Sequence, residues 1–181
     1  MDVPTPTGVY VSVDGTDFRI KEPHPFDTRW YSEKFNGPAV KYEVAICIAT
    51  GWIVWLNGPH RAGKNDHQLS MESLEYILDP CERYIADKGY HSVHALQPRD
   101  ALTFQDRRYM RIVRGRHETI NRLFKTFAVI ANIFKRNPVK HGLFMYSIAN
   151  IIQVGIMYGE LQPFDVDVPT PLTFDSVFND P

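Results

Sequence analysis

The stretch Val11-Ser-Val-Asp-Gly-Thr-Asp-Phe18 decides how the rest of the chain is interpreted. Valines at every second position run directly into an acid, a glycine and a second acid. Alternating β-branched residues favour a half-buried strand, and a glycine commonly marks where a strand stops. The pattern therefore predicts a β-strand that ends at Gly15, with Asp14 held rigidly at its carboxyl end. Taken alone, an Asp-Gly pair is most often an ordinary turn.

Length and composition are those of one globular domain. The chain has 181 residues, of which 44% are hydrophobic and 23% are charged, as in ordinary proteins with a single core. The formal net charge of −1 excludes a strongly basic protein but leaves room for a local basic face. Cys47 and Cys81 form neither a disulfide framework nor a zinc-binding spacing, so a reducing compartment is expected.

The sequence patterns predict neither a signal peptide at the start nor a membrane span in the late hydrophobic segment. The opening residues Met-Asp-Val-Pro-Thr-Pro lack the basic and apolar character of a signal peptide. Residues 142–159 are the most hydrophobic late segment, but they fall short of the ~20 apolar residues of a membrane span. We therefore expect a buried helix there and no membrane partner. Residues 163–181 are rich in Pro and Asp, which predicts a loose tail behind a folded domain of residues 1–162.

The middle of the chain alternates between strand and helix patterns. Residues 42–49 and 52–56 are apolar runs around a Thr-Gly turn and predict a hairpin. A glycine-containing loop then leads to Asp66, which is expected to cap the following helix. Residues 84–86 predict a short strand that ends at Asp87, again with a glycine nearby. The acid at Asp87 therefore repeats the arrangement at Asp14.

A long helix is predicted from about Thr103 to Phe134, with an interruption near Gly115. Its second half has an apolar face, and the opposite face is basic. The basic residues are Arg107, Arg108, Arg111, Arg114, Arg116, Arg122, Lys125, Lys135 and Arg136. Such a charge run is usually a solvated helix face. On spacing alone, Glu118 is a surface residue that pairs with Arg114 or Arg122 at i,i+4.

The order strand, hairpin, helix, strand, long helix predicts an α/β fold, a ribonuclease H-like mixed sheet flanked by helices. Adjacent strands lie ~5 Å apart, so Asp14 and Asp87 at neighbouring strand ends are close enough to share one metal site. Carboxylate oxygens suit the divalent metals used in phosphate chemistry.

Four motifs in this order resemble the DDE-type endonuclease domain of transposases, in particular the PIF/Harbinger-like group and similar IS-type eukaryotic transposases. They are Asp14-Gly-Thr-Asp17, the loop Gly58-Pro…Ala62-Gly…Asp66, Ile85-Ala-Asp-Lys-Gly-Tyr90, and Arg116-His-Glu118 with Asn121-Arg122. Each motif is weak alone. Four in this order, spanning Val9 to about Phe134, are a specific signal.

The resemblance implies an enzyme that cuts or transfers DNA strands with two Mg²⁺ or Mn²⁺ ions. It assigns Asp14, Asp87 and Glu118 as catalytic metal ligands and Asp66 as a further metal ligand. The implied partner is DNA, as transposon ends and target, together with a homo-oligomer or a separate DNA-binding protein. The implied location is the nucleus.

Basic residues near these acids are predicted to contact the DNA backbone. They are Lys88, Arg111, Arg114, Arg116 and Arg122. Contacts of this kind supply affinity that depends on salt and not on base sequence.

Two alternatives compete with this interpretation. Asp-Gly-Thr also occurs in haloacid dehalogenase-like phosphatases, but their nucleophilic aspartate would fall at Ser12, which argues against that class. The second alternative is a domesticated or truncated transposase copy that binds DNA or protein without cutting. The presence of all four acids favours the enzyme. The expectation that no helical DNA-binding region precedes Asp14 favours the truncated copy.

Overall fold

The computed structural model describes residues 8–25 and 27–159. The tail predicted at 163–181 lies outside the described residues. Within them, the strands are β1 (Gly8–Arg19), β2 (Tyr31–Ser32), β3 (Gly37–Cys47), β4 (Ile53–Arg61), β5 (Glu82–Ile85) and β6 (Ala95–Leu96). The α-helices are α1 (Asp66–Glu72), α2 (Phe104–Thr126), α3 (Ala128–Ala131) and α4 (Pro138–Met157). Mixed α/β architecture is therefore confirmed.

The six strands form one mixed sheet with β1 at its centre. On one side β1 pairs antiparallel with β3, and β3 pairs antiparallel with β4 and, at Gly37 and Pro38, with the short β2. On the other side β1 pairs parallel with β5, and β5 pairs parallel with β6. The predicted hairpin is confirmed as β3 and β4. Its turn includes Gly51 at φ 75°, a conformation that costs glycine little.

Strand β1 continues well beyond Gly15, so the predicted end of the strand is wrong. The partner strand β3 pairs with β1 without a break from Val11 to Arg19, with Asp14 opposite Val44. This continuous ladder holds the glycine in extended backbone. The parallel neighbour β5 stops at the pair Ser12–Ile85. Asp14 therefore lies inside a strand but beyond the end of the adjacent strand, where one side of β1 is left open.

The core is divided between the two faces of the sheet. On one face the side chains of β3 and β1, such as Tyr42 and Phe18, pack against Phe124 of α2 and Met145 of α4. On the opposite face Tyr84 belongs to a second cluster, which α1 and the turn after it help to cover. Because Asp14 and Val44 are paired, and paired residues share a face, Asp14 points toward α2.

Helix α2 is continuous through Gly115, so the predicted interruption there is wrong. A methyl group added at Gly115 would meet no atom within 4 Å, and the helix has no packing reason to bend at this point. A capping box of Thr103 and Asp106 starts the helix. It ends at Thr126, so the predicted end near Phe134 is wrong, because the backbone becomes extended at the C-cap Phe127. The chain then reaches Phe134, which hydrogen bonds to the backbone of Arg19 and forms a bridge beside β1.

Helix α4 is only half buried, which corrects the expectation of a buried helix at 142–159. One face packs on the sheet through residues such as Met145 and Ile152. The opposite face is open in the described residues, with Leu143 and Ile151 exposed. In the described part of the chain, no helix combines the length and the hydropathy of a membrane span.

A buried neutral histidine makes the free energy of unfolding depend on pH in the acidic range. His141 of α4 is fully buried, with Nδ1 2.8 Å from the Tyr42 hydroxyl, and burial lowers its pKa to about 4. Between about pH 6.5 and pH 4 the unfolded chain binds a proton that the folded chain does not. The free energy of unfolding therefore falls with falling pH, by up to ~1.4 kcal/mol per pH unit for this group.

We expect His141→Gln to weaken this pH dependence when urea unfolding is followed at pH 7, 6 and 5. The other titrating groups are common to both proteins, so the difference in slope isolates His141. An equal slope in the variant and the parent protein would contradict the assignment.

Candidate active site

A cleft of about 470 Å³ opens beside the centre of the sheet, between β1, the loop after β5 and helix α2. Acids and bases from distant parts of the sequence meet in its walls. The lining residues are Val13, Asp14, Gly15, Lys34, Asp87, Arg114, His117, Glu118, Asn121, Arg122 and Lys125. The structure thus brings Asp14, Asp87 and Glu118 to one cleft.

Asp14 is the most enclosed acid of this cleft. Its Oδ2 accepts a hydrogen bond of 3.2 Å from Nδ2 of Asn121 on α2. Burial raises the pKa of Asp14 to about 6, against opposing effects of the Lys34 cation and the Gly15 backbone. Asp66 and Asp87 add to the increase through like-charge repulsion. Asp14 is therefore an acid whose ionised form is disfavoured mainly by burial, and a bound cation would stabilise that form.

Asp87 enters the cleft because β5 ends just before it. Its Oδ1 accepts a hydrogen bond of 2.7 Å from the backbone N–H of Lys88. The same oxygen lies 3.2 Å from Nη2 of Arg114 on α2, with both side chains nearly half exposed. Since an exposed ion pair of this kind contributes at most ~1 kcal/mol, Arg114 can exchange for another cation at small cost.

Glu118 belongs to the stripe of α2 that faces the cleft. Arg114, Glu118, Asn121 and Lys125 follow one another at intervals of four, three and four residues, which places them on one side of a helix. Glu118 was expected to pair with Arg114 or Arg122. Among ion pairs in the described residues, Arg114 pairs instead with Asp87, and none involves Glu118.

Asp66 lies beside the cleft and does not line it. It is the first residue of α1, whose N-cap is Asn65, so the predicted capping role of Asp66 is wrong. Its Oδ1 is 2.7 Å from Nζ of Lys41. The carboxylate also abuts Gly15 and Gly89: a Cβ added there would come within 2.9 Å of Oδ1 and 3.2 Å of Oδ2, respectively. Asp66 thus joins α1 to β3 through Lys41 and packs against the backbone next to Asp14 and near Asp87.

The donor chemistry of the cleft fits Mg²⁺ or Mn²⁺. Asp14, Asp87 and Glu118 offer carboxylate oxygens, which are the ligands these ions prefer. Oδ1 of Asn121 is a buried acceptor with no hydrogen-bond partner in the described residues, and it belongs to the amide that holds Asp14. Within residues 8–25 and 27–159, no three His, Cys, Asp or Glu side chains are already arranged to hold a metal ion. The acids would therefore have to move closer to share one.

Four cationic side chains line the cleft beside these acids: Lys34, Arg114, Arg122 and Lys125. Of the predicted DNA contacts, Arg114 and Arg122 line the cleft, whereas Lys88 and Arg111 are exposed but lie outside its lining. The prediction that Arg116 contacts DNA is wrong. Only 4% of its surface is exposed, and its guanidinium donates a hydrogen bond to the carbonyl of Ile48. Arg116 therefore anchors α2 to the segment after β3 and has no surface for a phosphate.

Lys34, Lys125, Asn121 and His117 line the cleft without having been assigned a role from the sequence. Asn121 and Lys125 lie three and seven residues after Glu118, so helical spacing could have found them. Lys34 has no local signal, because it reaches the cleft from the turn after β2. His117 is 4% exposed, and burial lowers its pKa to about 4, so its ring is neutral near pH 7.

We expect Asp14 to titrate near pH 6 in a carboxyl-detected NMR titration, about two units above an ordinary aspartate. Asp87→Asn should lower this pKa, because it removes a neighbouring negative charge. Lys34→Met should raise it, because it removes the opposing cation. A value near 4 for Asp14, or the same value in both variants, would contradict this account of the cleft.

No protein-family model, curated protein or solved structure matches this chain. What the protein does must therefore be inferred from the residues of the cleft and from their arrangement.

Proposed function

We propose that this chain is the catalytic domain of a DDE-type transposase, a metal-dependent nuclease that cuts or transfers DNA strands. One observation carries the proposal. Asp14, Asp87 and Glu118 come from a strand, a loop and a helix that are far apart in sequence, yet they line one cleft together with four cations. Two-metal phosphodiester cleavage requires carboxylates that converge on one site, and adjacent cations can attract the phosphate backbone.

The arrangement of the sheet supports a ribonuclease H-like fold for this domain. The first strand is central, antiparallel strands lie on one side of it, and parallel strands lie on the other. The long helix α2 follows the last parallel strand and returns across the face to which Asp14 points. The site acids therefore come from the central strand, the loop after its parallel neighbour, and the covering helix.

Each acid has a defined part in the proposal. Asp14, Asp87 and Glu118 hold the metal, and Asn121 orients the Asp14 carboxylate through the 3.2 Å hydrogen bond. Two divalent ions, when bound, activate the attacking hydroxyl and stabilise the leaving oxygen. Asp66 supports the site through its contacts with Lys41 and the two glycines, and it is a metal ligand only if α1 shifts toward the cleft.

The cations of the cleft supply attraction for DNA. The acids alone would repel a phosphate backbone, and Lys34, Arg122 and Lys125 offset that repulsion beside them. Arg114 has two partners in this scheme: Asp87 in the free protein and a phosphate when DNA and metal are bound. The substrate would be transposon ends and target DNA in the nucleus, with a second copy or a separate DNA-binding protein contributing site recognition.

One observation favours a second candidate, a transposase-derived module that binds DNA without cutting. Arg114 already pairs with Asp87 at 3.2 Å, and this cation occupies a carboxylate that the metal would need. A protein in which this pair persists would retain a DNA-binding cleft but have no nuclease activity.

The direct test is nicking or strand transfer on a supercoiled plasmid and on short duplexes, with Mg²⁺, with Mn²⁺ and with a chelator. We expect activity only with metal. Asp14→Asn, Asp87→Asn and Glu118→Gln should each reduce it to background, because each removes a carboxylate ligand. Glu72→Gln is the matched control, since Glu72 is an exposed acid of α1 that pairs with Lys64 away from the cleft.

Activity that survives chelation, or equal activity in the parent and Asp87→Asn, would overturn the nuclease proposal. If no cleavage occurs with either metal but the protein binds DNA and loses binding in Arg122→Gln, the non-cutting module is favoured.

A further inference from the structure

The exposed face of α4 is unusually apolar for a helix surface. Its exposed side chains include Val139, Leu143, Phe144, Tyr146, Ile151, Val154 and Met157, and the helix contains one charged residue, Lys140. A helix that is apolar all round is normally covered on both sides. Contiguous exposed apolar surface of this kind marks a docking site.

A groove of about 730 Å³ lies on this surface, between α3 and the first half of α4. Val129, Ile133, Leu143 and Phe144 form its apolar wall, and all four are exposed. Its basic residues are Lys135, Arg136 and Lys140. None of the described residues that line it is acidic. The groove therefore fits a segment that combines apolar side chains with negative charge.

We propose that the occupant is the chain's own segment 160–181. This segment contains five acids and no Lys, Arg or His, so its charge is opposite to that of the groove. Its apolar residues, among them Leu161, Phe164 and Phe174, are interspersed with the acids. Salt bridges to the groove would remain partly hydrated and would orient the segment. The apolar side chains would contribute most of the affinity.

The segment can reach the groove from where α4 ends. Ser147 lies at the groove and Gly159 lies twelve residues later, which is ~18 Å along a helix at about 1.5 Å per residue. An extended chain covers this distance in about six residues. More than half of the segment is then left to lie in the groove. Because the segment is tethered, its local concentration is in the millimolar range, so modest affinity suffices.

Charge argues against a second copy of the same face as the occupant. A two-fold pairing brings identical surfaces together, so the basic residues of one groove would face those of the other. The proposed docking is independent of the nuclease proposal, since none of the groove residues lines the cleft.

Zero-length carbodiimide cross-linking of the full chain, mapped by mass spectrometry, tests this docking. The reagent joins a lysine amine to a carboxylate only where the two are in contact. We expect Lys135 and Lys140 to couple to acids of 160–181, with much less coupling at exposed Lys88. An equal mixture of ¹⁵N-labelled and unlabelled chains separates coupling within a chain from coupling between chains.

Leu143→Asp should reduce this coupling roughly tenfold or more, because burial of one leucine side chain is worth at least that factor. Val154→Asp is the matched control, an exposed apolar residue of α4 outside the groove, and it should leave coupling unchanged. If circular dichroism shows that Leu143→Asp disturbs folding, Arg136→Glu takes its place, because it reverses one charge of the groove and leaves the apolar wall unchanged. Mixed-isotope products, coupling as strong at Lys88, or coupling unaffected by the groove variants would each overturn the proposal.

Discussion

The register between β1 and β3 is the constraint on which the rest of the site depends. Because the two strands pair without a break from Val11 to Arg19, Asp14 has one possible face, and that face is turned toward α2. The parallel neighbour β5 stops two residues short of Asp14, which leaves room for a cleft where another strand would otherwise lie. A shift of one residue would send Asp14 to the opposite face of the sheet. The acids would then no longer meet.

Helix α2 supplies the other half of the site because it is long, straight and anchored at several points. Arg116 binds the carbonyl of Ile48, and Phe124 is buried in the core. With the buried side held in this way, the stripe next to it presents Glu118, Asn121 and Lys125 to the cleft. On this stripe the acid Glu118 lies between the cations Arg114 and Lys125. In the proposed reaction the acid would be a metal ligand and the cations would contact phosphate.

Much of this arrangement could be predicted from the sequence, and the failures have physical causes. Strand alternation and helical periodicity are local signals, so the hairpin, the long helix and the acid after β5 were predictable. Local patterns cannot show that pairing with β3 keeps β1 extended through Gly15. They also cannot show that Arg116 is buried and hydrogen bonds to a carbonyl 68 residues away. Lys34 and the place of Asp66 behind the cleft depend on tertiary contacts. Sequence spacing contains no information about those.

If the acids of the cleft bind a divalent metal together, as proposed, then the free protein binds Mn²⁺. The free-ion signal in electron paramagnetic resonance should fall when the protein is added. Replacement of Asp14 or Asp87 by Asn should weaken binding by at least ~10-fold, by analogy with the loss seen when support for a metal site is removed. Glu72→Gln should bind as the parent does. Mn²⁺ that stays free at millimolar protein, or binding unchanged by the two cleft substitutions, would contradict the account.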